Sequence, residues 1–171
     1  METKLEIAKN WLPRYTGMPL EKFGDHILIT NFKDYVTKFA DRFSSEIYGE
    51  GRAMQATTND DGLTIINYGI GSPNAATIMD LLVAVKPKGV LFLGKCGGLK
   101  GSSEIGNFIL PIGAIRGDGT SMITFHLKFQ HFRHLNFINL FQTLLLRKRV
   151  TTEQELFSQQ IEGYGSTISH S

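Results

Sequence analysis

The residues Gly89 to Lys100, GVLFLGKCGGLK, combine a buried-strand pattern with the groups best suited to hold a small anion. The apolar run Val90-Leu91-Phe92-Leu93 leads straight into Gly94-Lys95-Cys96-Gly97-Gly98, so a strand delivers glycine-lined backbone and one cation to its end. A similar arrangement occurs earlier. Leu63 to Tyr68 is strand-like and runs into Gly69-Ile70-Gly71-Ser72-Pro73-Asn74, after which a helix begins. Amides at such a helix start, with the Ser72 hydroxyl, favour an anion because the dipole and the free N–H groups point toward it. A tight turn that merely starts a helix is an equally good account of GIGSPN, since glycine punctuates any strand-to-helix turn. Neither loop is a Walker A sequence or a GxGxxG fingerprint. Lys95 lies between two glycine segments, a stronger placement than that of an average solvated lysine. Cys96 has no histidine near it in sequence and reads as a packed thiol rather than a nucleophile.

The elements that carry these loops follow from periodicity and punctuation. Thr3 to Leu12 has helical composition, and Pro13 is expected to end it. His26 to Ile29 reads as a strand, followed by a helix capped by Asn31 and running through Arg42. Its apolar stripe Phe32, Tyr35, Val36, Phe39 and Phe43 is expected to be core rather than a ligand site. A turn at Asn59-Asp60-Asp61-Gly62 joins strands near Arg52 to Thr57 and Leu63 to Tyr68 into a hairpin. Pro73 suits a first helical turn, and the helix built on Ala75, Ile78, Leu81 and Leu82 is stopped by Pro87. Leu63 to Leu93 thus reads as a βαβ unit, which implies parallel strands with ligand loops at their carboxyl ends. A further strand is expected over 106–115. Alternation of this kind specifies an α/β fold with a mixed sheet flanked by helices.

Composition narrows the function classes. The 171 residues are 42% hydrophobic and 20% charged, ordinary for one globular domain with a core. No apolar run approaches the roughly 18 residues needed to cross a bilayer, and the first residues show no secretory pattern, so neither a membrane nor secretion is expected. The single cysteine excludes an internal disulfide and a thiolate zinc cluster, and a reducing cytoplasm fits best. The net charge of +2 comes entirely from the last third: 13 Lys and Arg face 13 Asp and Glu through Asp118, but 5 face 3 from Gly119 onward. A nucleic-acid partner, which needs a concentrated basic face, is not expected.

From Gly119 onward the chain contains no Ala, Pro or Asp, yet holds four of the five His and six of the twelve Phe. Runs such as FHLKFQHFRHLNF have no clean period of either kind. His126, His131 and His134 lack a partnering Cys, Asp or Glu at metal-ligand spacing, so no metal is expected, and Arg147-Lys148-Arg149 reads as a solvated run.

The segments NYGIGSPNAATIMDLL, LFLGKCGGLK and FILPIGAIRGDGTS, preceded by WLPRYTGMPLEKFGDHILITNF, closely resemble the short bacterial AMP nucleosidases, a family within the nucleoside phosphorylase/nucleosidase superfamily. The resemblance covers Met1 to Ser121. It implies a phosphorylase/hydrolase-like fold and hydrolysis of AMP to adenine and ribose 5-phosphate without a cofactor, in a homo-oligomer, commonly a hexamer built from dimers. By position it assigns Gly69, Gly71, Ser72, Pro73, Asn74, Lys95, Cys96, Gly97 and Gly98 to the phosphate and ribose cradle. Arg52 falls where hexameric relatives use an arginine from the neighbouring subunit to reach phosphate, and Arg116, Thr120 and Ser121 lead toward the base pocket. Lys95 stands where phosphorylases have a small hydroxyl residue.

The family's purine-protonating Asp, in an SDQP-like motif, and its ribose-binding Glu, in a MET-like motif, belong well beyond Ser121, and neither motif occurs in this sequence. No catalytic residue can therefore be assigned, and Asp118 reads as a turn residue. A one-base slip in the coding frame accounts for this. In one constant register, codons compatible with Ser121 to Leu135 can be read as NDYFPPEVPALPSF, family-like sequence for the region after GTS. The expected organisation is a nucleosidase part over 1–121 and an out-of-frame, poorly ordered tail over 122–171, unrelated to the fold. Two other readings remain open: a phosphorylase or other purine nucleosidase of the same superfamily, and a noncatalytic nucleotide- or polyanion-binding protein. The gene sequence around codons 118 to 125 tests the slip. Restoring one base near codon 122 is expected to reopen the family's frame; an in-frame insertion encoding the tail contradicts it.

Overall fold

A computed structural model describes residues 2–99, 101, 103–109 and 111. The chain divides into two compact units, and the boundary among the described residues falls between Cys96 and Gly97. In the first unit the elements run α1 (Lys4–Thr16), β1 (His26–Thr30), α2 (Lys33–Phe43), β2 (Gln55–Thr58), β3 (Leu63–Asn67), α3 (Ser72–Leu81) and β4 (Gly89–Leu93), with short 3₁₀ turns at Leu20–Lys22 and Leu82–Ala84.

The four strands form one sheet in the order β2-β3-β1-β4. β1 lies between β3 and β4 and is parallel to both, pairing Thr30 with Asn67 on one side and with Leu93 on the other. β2 runs antiparallel to β3 at the edge. The βαβ unit is therefore present with one strand inserted: β3, α3 and β4 make a crossover that passes β1. Its helices cover both faces, as α/β architecture requires. On one face α1 and α3 contribute Ala8, Leu12, Ile78 and Leu81 to a core with Ile27, Ile29, Ala56 and Ile66. On the other, α2 packs Val36 and Phe39 against Ile65 and Leu28.

Local chemistry explains most element boundaries. α1 starts in a capping box: the Glu6 amide donates to the Thr3 hydroxyl at 3.3 Å, and the Thr3 amide donates to the Glu6 carboxylate at 2.7 Å. The Thr3 amide, and with it the Thr3 hydroxyl at 2.9 Å, donates to the Glu6 carboxylate and lowers its pKa. Contrary to expectation, Pro13 does not end this helix but lies inside it. Proline deletes only its own donor; its carbonyl still accepts the Gly17 amide at 2.8 Å, and Gly17, at φ 71°, supplies the left-handed stop. At α2 the N-cap position is occupied by Phe32, not Asn31, and no side chain caps it. The Asn31 side-chain oxygen is instead buried and has no hydrogen-bond partner among the described residues.

The hairpin forms as expected, with Gly62 at φ 74° and the Leu63 amide held by the Asn59 side chain at 2.8 Å. Its first strand starts later than expected, because Gly49 and Gly51 have positive φ and the Arg52 amide returns to the Gly49 carbonyl at 3.0 Å. Arg52 thus belongs to a turn. α3 becomes 3₁₀ after Leu81, and Lys86 takes a left-handed conformation immediately before Pro87, where the α region is sterically disfavoured.

In the second unit the residues expected to begin another strand do not form one: Gly106 is in a turn, and Asn107, Phe108, Ile109 and Pro111 have no regular structure. The Asn107 amide closes that turn on the Glu104 carbonyl at 3.1 Å. Arg116, Asp118, Thr120, Ser121 and the whole of 122–171, with its histidines and basic run, lie outside the described residues. Among the described residues no helix is long and apolar enough to cross a membrane.

Ile66 is fully buried at the centre of the larger core. Ile66→Ala is expected to lower stability by about 2–5 kcal/mol in urea unfolding, whereas Ile70→Ala, at a position 83% exposed, changes it by less than about 0.5 kcal/mol.

Candidate functional site

Parallel pairing fixes where the site can be. Because β1, β3 and β4 end in register at Thr30, Asn67 and Leu93, the segments starting at Asn31, Tyr68 and Gly94 leave the sheet at a single edge. After β1 the chain crosses by α2 toward β3; after β3 it crosses by α3, on the opposite face, to β4. The connections diverge on either side of β1, and open α/β sheets bind ligands at such a point, outside the strand carboxyl ends.

The Gly69–Asn74 loop follows β3. The Gly69 amide is held by the Asn67 side chain at 3.0 Å, and the Asn74 side-chain amide donates back to the Ile70 carbonyl at 3.1 Å. Gly69 and Gly71 have φ values of 82° and 97°. Gly71, at ψ 149°, occupies a region essentially closed to other residues and serves as N-cap of α3. Ser72, Pro73 and Asn74 form the exposed first turn. Pro73 has no N–H to present, but its carbonyl accepts the Thr77 hydroxyl at 2.9 Å. The Asn74 side chain therefore shapes the loop in addition to whatever it offers a ligand.

Lys95 follows β4 and is exposed, but its ammonium lies over the Phe32 ring at 4.4 Å from the centroid and over Tyr35 at 5.5 Å. Sequence periodicity places these two aromatics in a core stripe. Val36 and Phe39 meet that expectation and Tyr35 packs against them; Phe43 does not, being 42% exposed, and Phe32, at the amino end of α2, is only partly buried and faces the lysine together with Tyr35. The signal that could have found them is their position immediately after a strand that ends at the ligand edge.

At the same edge Tyr68 is buried beside Phe92, ring centroids 6.3 Å apart. Burial raises the Tyr68 pKa above its ordinary value, so the phenol remains a neutral hydroxyl at physiological pH. The Phe92 ring folds back so closely that a Cβ on Gly94 would meet it at 2.6 Å, so a larger residue there requires this half-exposed ring to move.

Cys96 is exposed rather than packed, contrary to the sequence reading; the strand ends before it, and no described element covers it. Gly97 and Gly98 belong to the second unit, where a Cβ on Gly98 would meet the Ser103 Cβ at 2.5 Å while Gly97 faces open space. The Arg52 guanidinium donates to the Arg14 carbonyl at 2.9 Å, tied within its own chain to the end of α1. Backbone is tightly packed beneath it, since a Cβ on Gly49 would lie 2.4 Å from the Thr16 carbonyl oxygen.

Gly71→Ala is expected to lower stability by about 1–3 kcal/mol in chemical denaturation through backbone strain alone. Gly97→Ala, with ordinary φ and open space, serves as the nearly neutral comparison.

The chain is 44% identical to a solved AMP nucleosidase from Bacteroides thetaiotaomicron VPI-5482, with a TM-score of 0.81 over 88% of this chain and 65% of that one. It is 29% identical to an AMP nucleosidase from Escherichia coli (strain K12), over 63% of this chain and 30% of that protein. A guanosine phosphorylase from Halorubrum lacusprofundi is 35% identical over 72 residues, 42% of this chain and 30% of that protein. The chain thus spans about two thirds of the solved relative and under a third of the curated ones. The sequence pattern of the phosphorylase superfamily matches residues 22–154, most of the chain's length and past Ser121. The mixed sheet, its helices and this match together make the protein a member of the phosphorylase superfamily.

Proposed function

We propose that the chain is the amino-terminal part of an AMP nucleosidase, which hydrolyses the N-glycosidic bond of AMP to adenine and D-ribose 5-phosphate. The observation that carries this reading is the convergence of the Gly69–Asn74 loop and Lys95 on one sheet edge, in a chain 44% identical to an AMP nucleosidase of known structure.

The chemistry assigns work to these groups. Cleavage passes through an oxocarbenium-like sugar, so the site must hold the ribose, place a water, protonate the leaving purine and anchor the 5′-phosphate. Gly69 and Gly71 let backbone approach the ribose phosphate closely, and Ser72, Pro73 and Asn74 form the helix start that favours an anion. Lys95 adds the charge that selects a phosphorylated nucleotide over a free nucleoside; Cys96, Gly97 and Gly98 extend the cradle along the ribose. Arg52 reaches the phosphate of a neighbouring subunit in a homo-oligomer, exchanging its bond to the Arg14 carbonyl or using the guanidinium donors left over. Arg116, Thr120 and Ser121 serve the base side. The acid that protonates the purine and the carboxylate that holds the ribose belong to sequence beyond Ser121, so residues 1–121 carry the cradle, 122–171 are out-of-frame, and the chain alone does not turn AMP over. The same reading places the protein in the cytoplasm, with no cofactor and no nucleic-acid or membrane partner.

The similarity to a guanosine phosphorylase favours a second reading, in which phosphate rather than water attacks the sugar. Incubating the frame-restored protein and the 171-residue chain with AMP, with and without phosphate, separates the two. Ribose 5-phosphate and adenine, released without added phosphate by the restored protein only, are the expected products. A ribose bisphosphate formed only with phosphate supports the phosphorylase; robust adenine release by the short chain contradicts the assignment of the missing acid.

A further inference from the structure

Lys95 is a cation without a carboxylate: among the described residues the ion pairs join Lys4 to Asp80 and Lys88 to Asp25, and none involves Lys95. Its ammonium is instead held against two ring faces, Phe32 at 4.4 Å and Tyr35 at 5.5 Å. The rings are themselves in contact, centroids 5.4 Å apart, and Tyr35 is anchored in the smaller core with Val36 and Ile65. The seat is therefore packed against the core on its inner side, while the lysine remains exposed on the other. An exposed lysine ordinarily loses much rotamer freedom when it binds a ligand. A ring face attracts the ammonium without neutralising its charge, so the cation is restrained beforehand and its charge stays available.

We propose that Phe32 and Tyr35 are positioning residues which seat the Lys95 ammonium between the ends of β1 and β4, and that this aromatic seat sets the preference for a phosphomonoester over its unphosphorylated counterpart. The proposal rests on the reading of this edge as a nucleotide site and adds residues to it that the glycine loops do not supply. Phe32 acts through Lys95, so its contribution vanishes when the lysine is removed.

The test measures binding of AMP, adenosine and ribose 5-phosphate to the 171-residue chain by calorimetry, for the original sequence, Phe32→Leu, Phe32→Trp, Lys95→Met and the Phe32→Leu/Lys95→Met double variant. Lys95→Met is expected to weaken AMP about tenfold or more and to leave adenosine unchanged. Phe32→Leu is expected to weaken AMP about two- to fivefold, again sparing adenosine, with no further loss in the Lys95→Met background and recovery in Phe32→Trp. A structural role predicts otherwise: equal losses for AMP and adenosine, or a loss that persists without the lysine, overturns the seat. Should Phe32→Leu fail to fold, the Lys95 ε-methylene protons of the original sequence decide by NMR. Ring-current shifts to high field support the seat, and random-coil positions overturn it. AMP preferred to adenosine without Phe32–Lys95 coupling removes the seat and keeps the nucleotide reading. Ribose 5-phosphate binding as tightly as AMP, with coupling intact, keeps the seat and removes the purine nucleotide. Absence of binding by either phosphorylated ligand overturns both.

Discussion

Parallel pairing of β1 with two neighbours is the constraint on which the site depends. A parallel ladder sends both chains out of the sheet at the same end, and here the ladder is in register on both sides of β1. Three loops that are distant in sequence are thereby delivered to one edge by backbone hydrogen bonds alone. Among the described residues, Phe32, the Gly69–Asn74 turn and Lys95 inherit their positions from that register. The buried faces lock it, since a slip of one residue would carry Ile27, Ile29 and Ile66 out of the α1/α3 core.

The edge so formed is built from restraint more than from charge. Side-chain and backbone bonds within the Gly69–Asn74 loop fix its shape, and Gly71 adopts a conformation that other residues avoid. Among the described residues Lys95 meets aromatic faces and no acid. Among the described residues this leaves the positive charge without an acidic partner at the ligand edge, while limiting the freedom lost on binding. Arg52 is bonded to the Arg14 carbonyl in a turn three residues before Gln55, which pairs with Asn67 at this same end of the sheet.

Much of this was legible in the sequence, for physical reasons. Apolar runs that end in glycine announced β3 and β4, and Pro73 announced the start of α3, because each signal acts through its own backbone. Where the reading failed, the decisive interaction was elsewhere in the chain or one residue away. Pro13 could not end α1 while its carbonyl still had Gly17 to accept from, and Asn31 lost the cap to a helix that begins one turn position later. The strand expected from Gly106 is absent at Asn107 to Ile109, where apolar composition alone supplies no pairing partner. Periodicity placed Tyr35 correctly on the core side but could not show that it and Phe32 also meet a lysine, because it reports which side of a helix a residue is on and not what lies beyond its end. The lysine that meets them is sixty residues later in the chain and is reached only through strand pairing.

A structure of the chain with bound AMP decides whether this edge receives the phosphate. The 5′-phosphate is expected at the carboxyl edge of the sheet, within hydrogen-bonding distance of the Lys95 ammonium and beside the first turn of α3. Phosphate bound at the opposite edge of the sheet, with the Lys95 ammonium facing solvent, would contradict it.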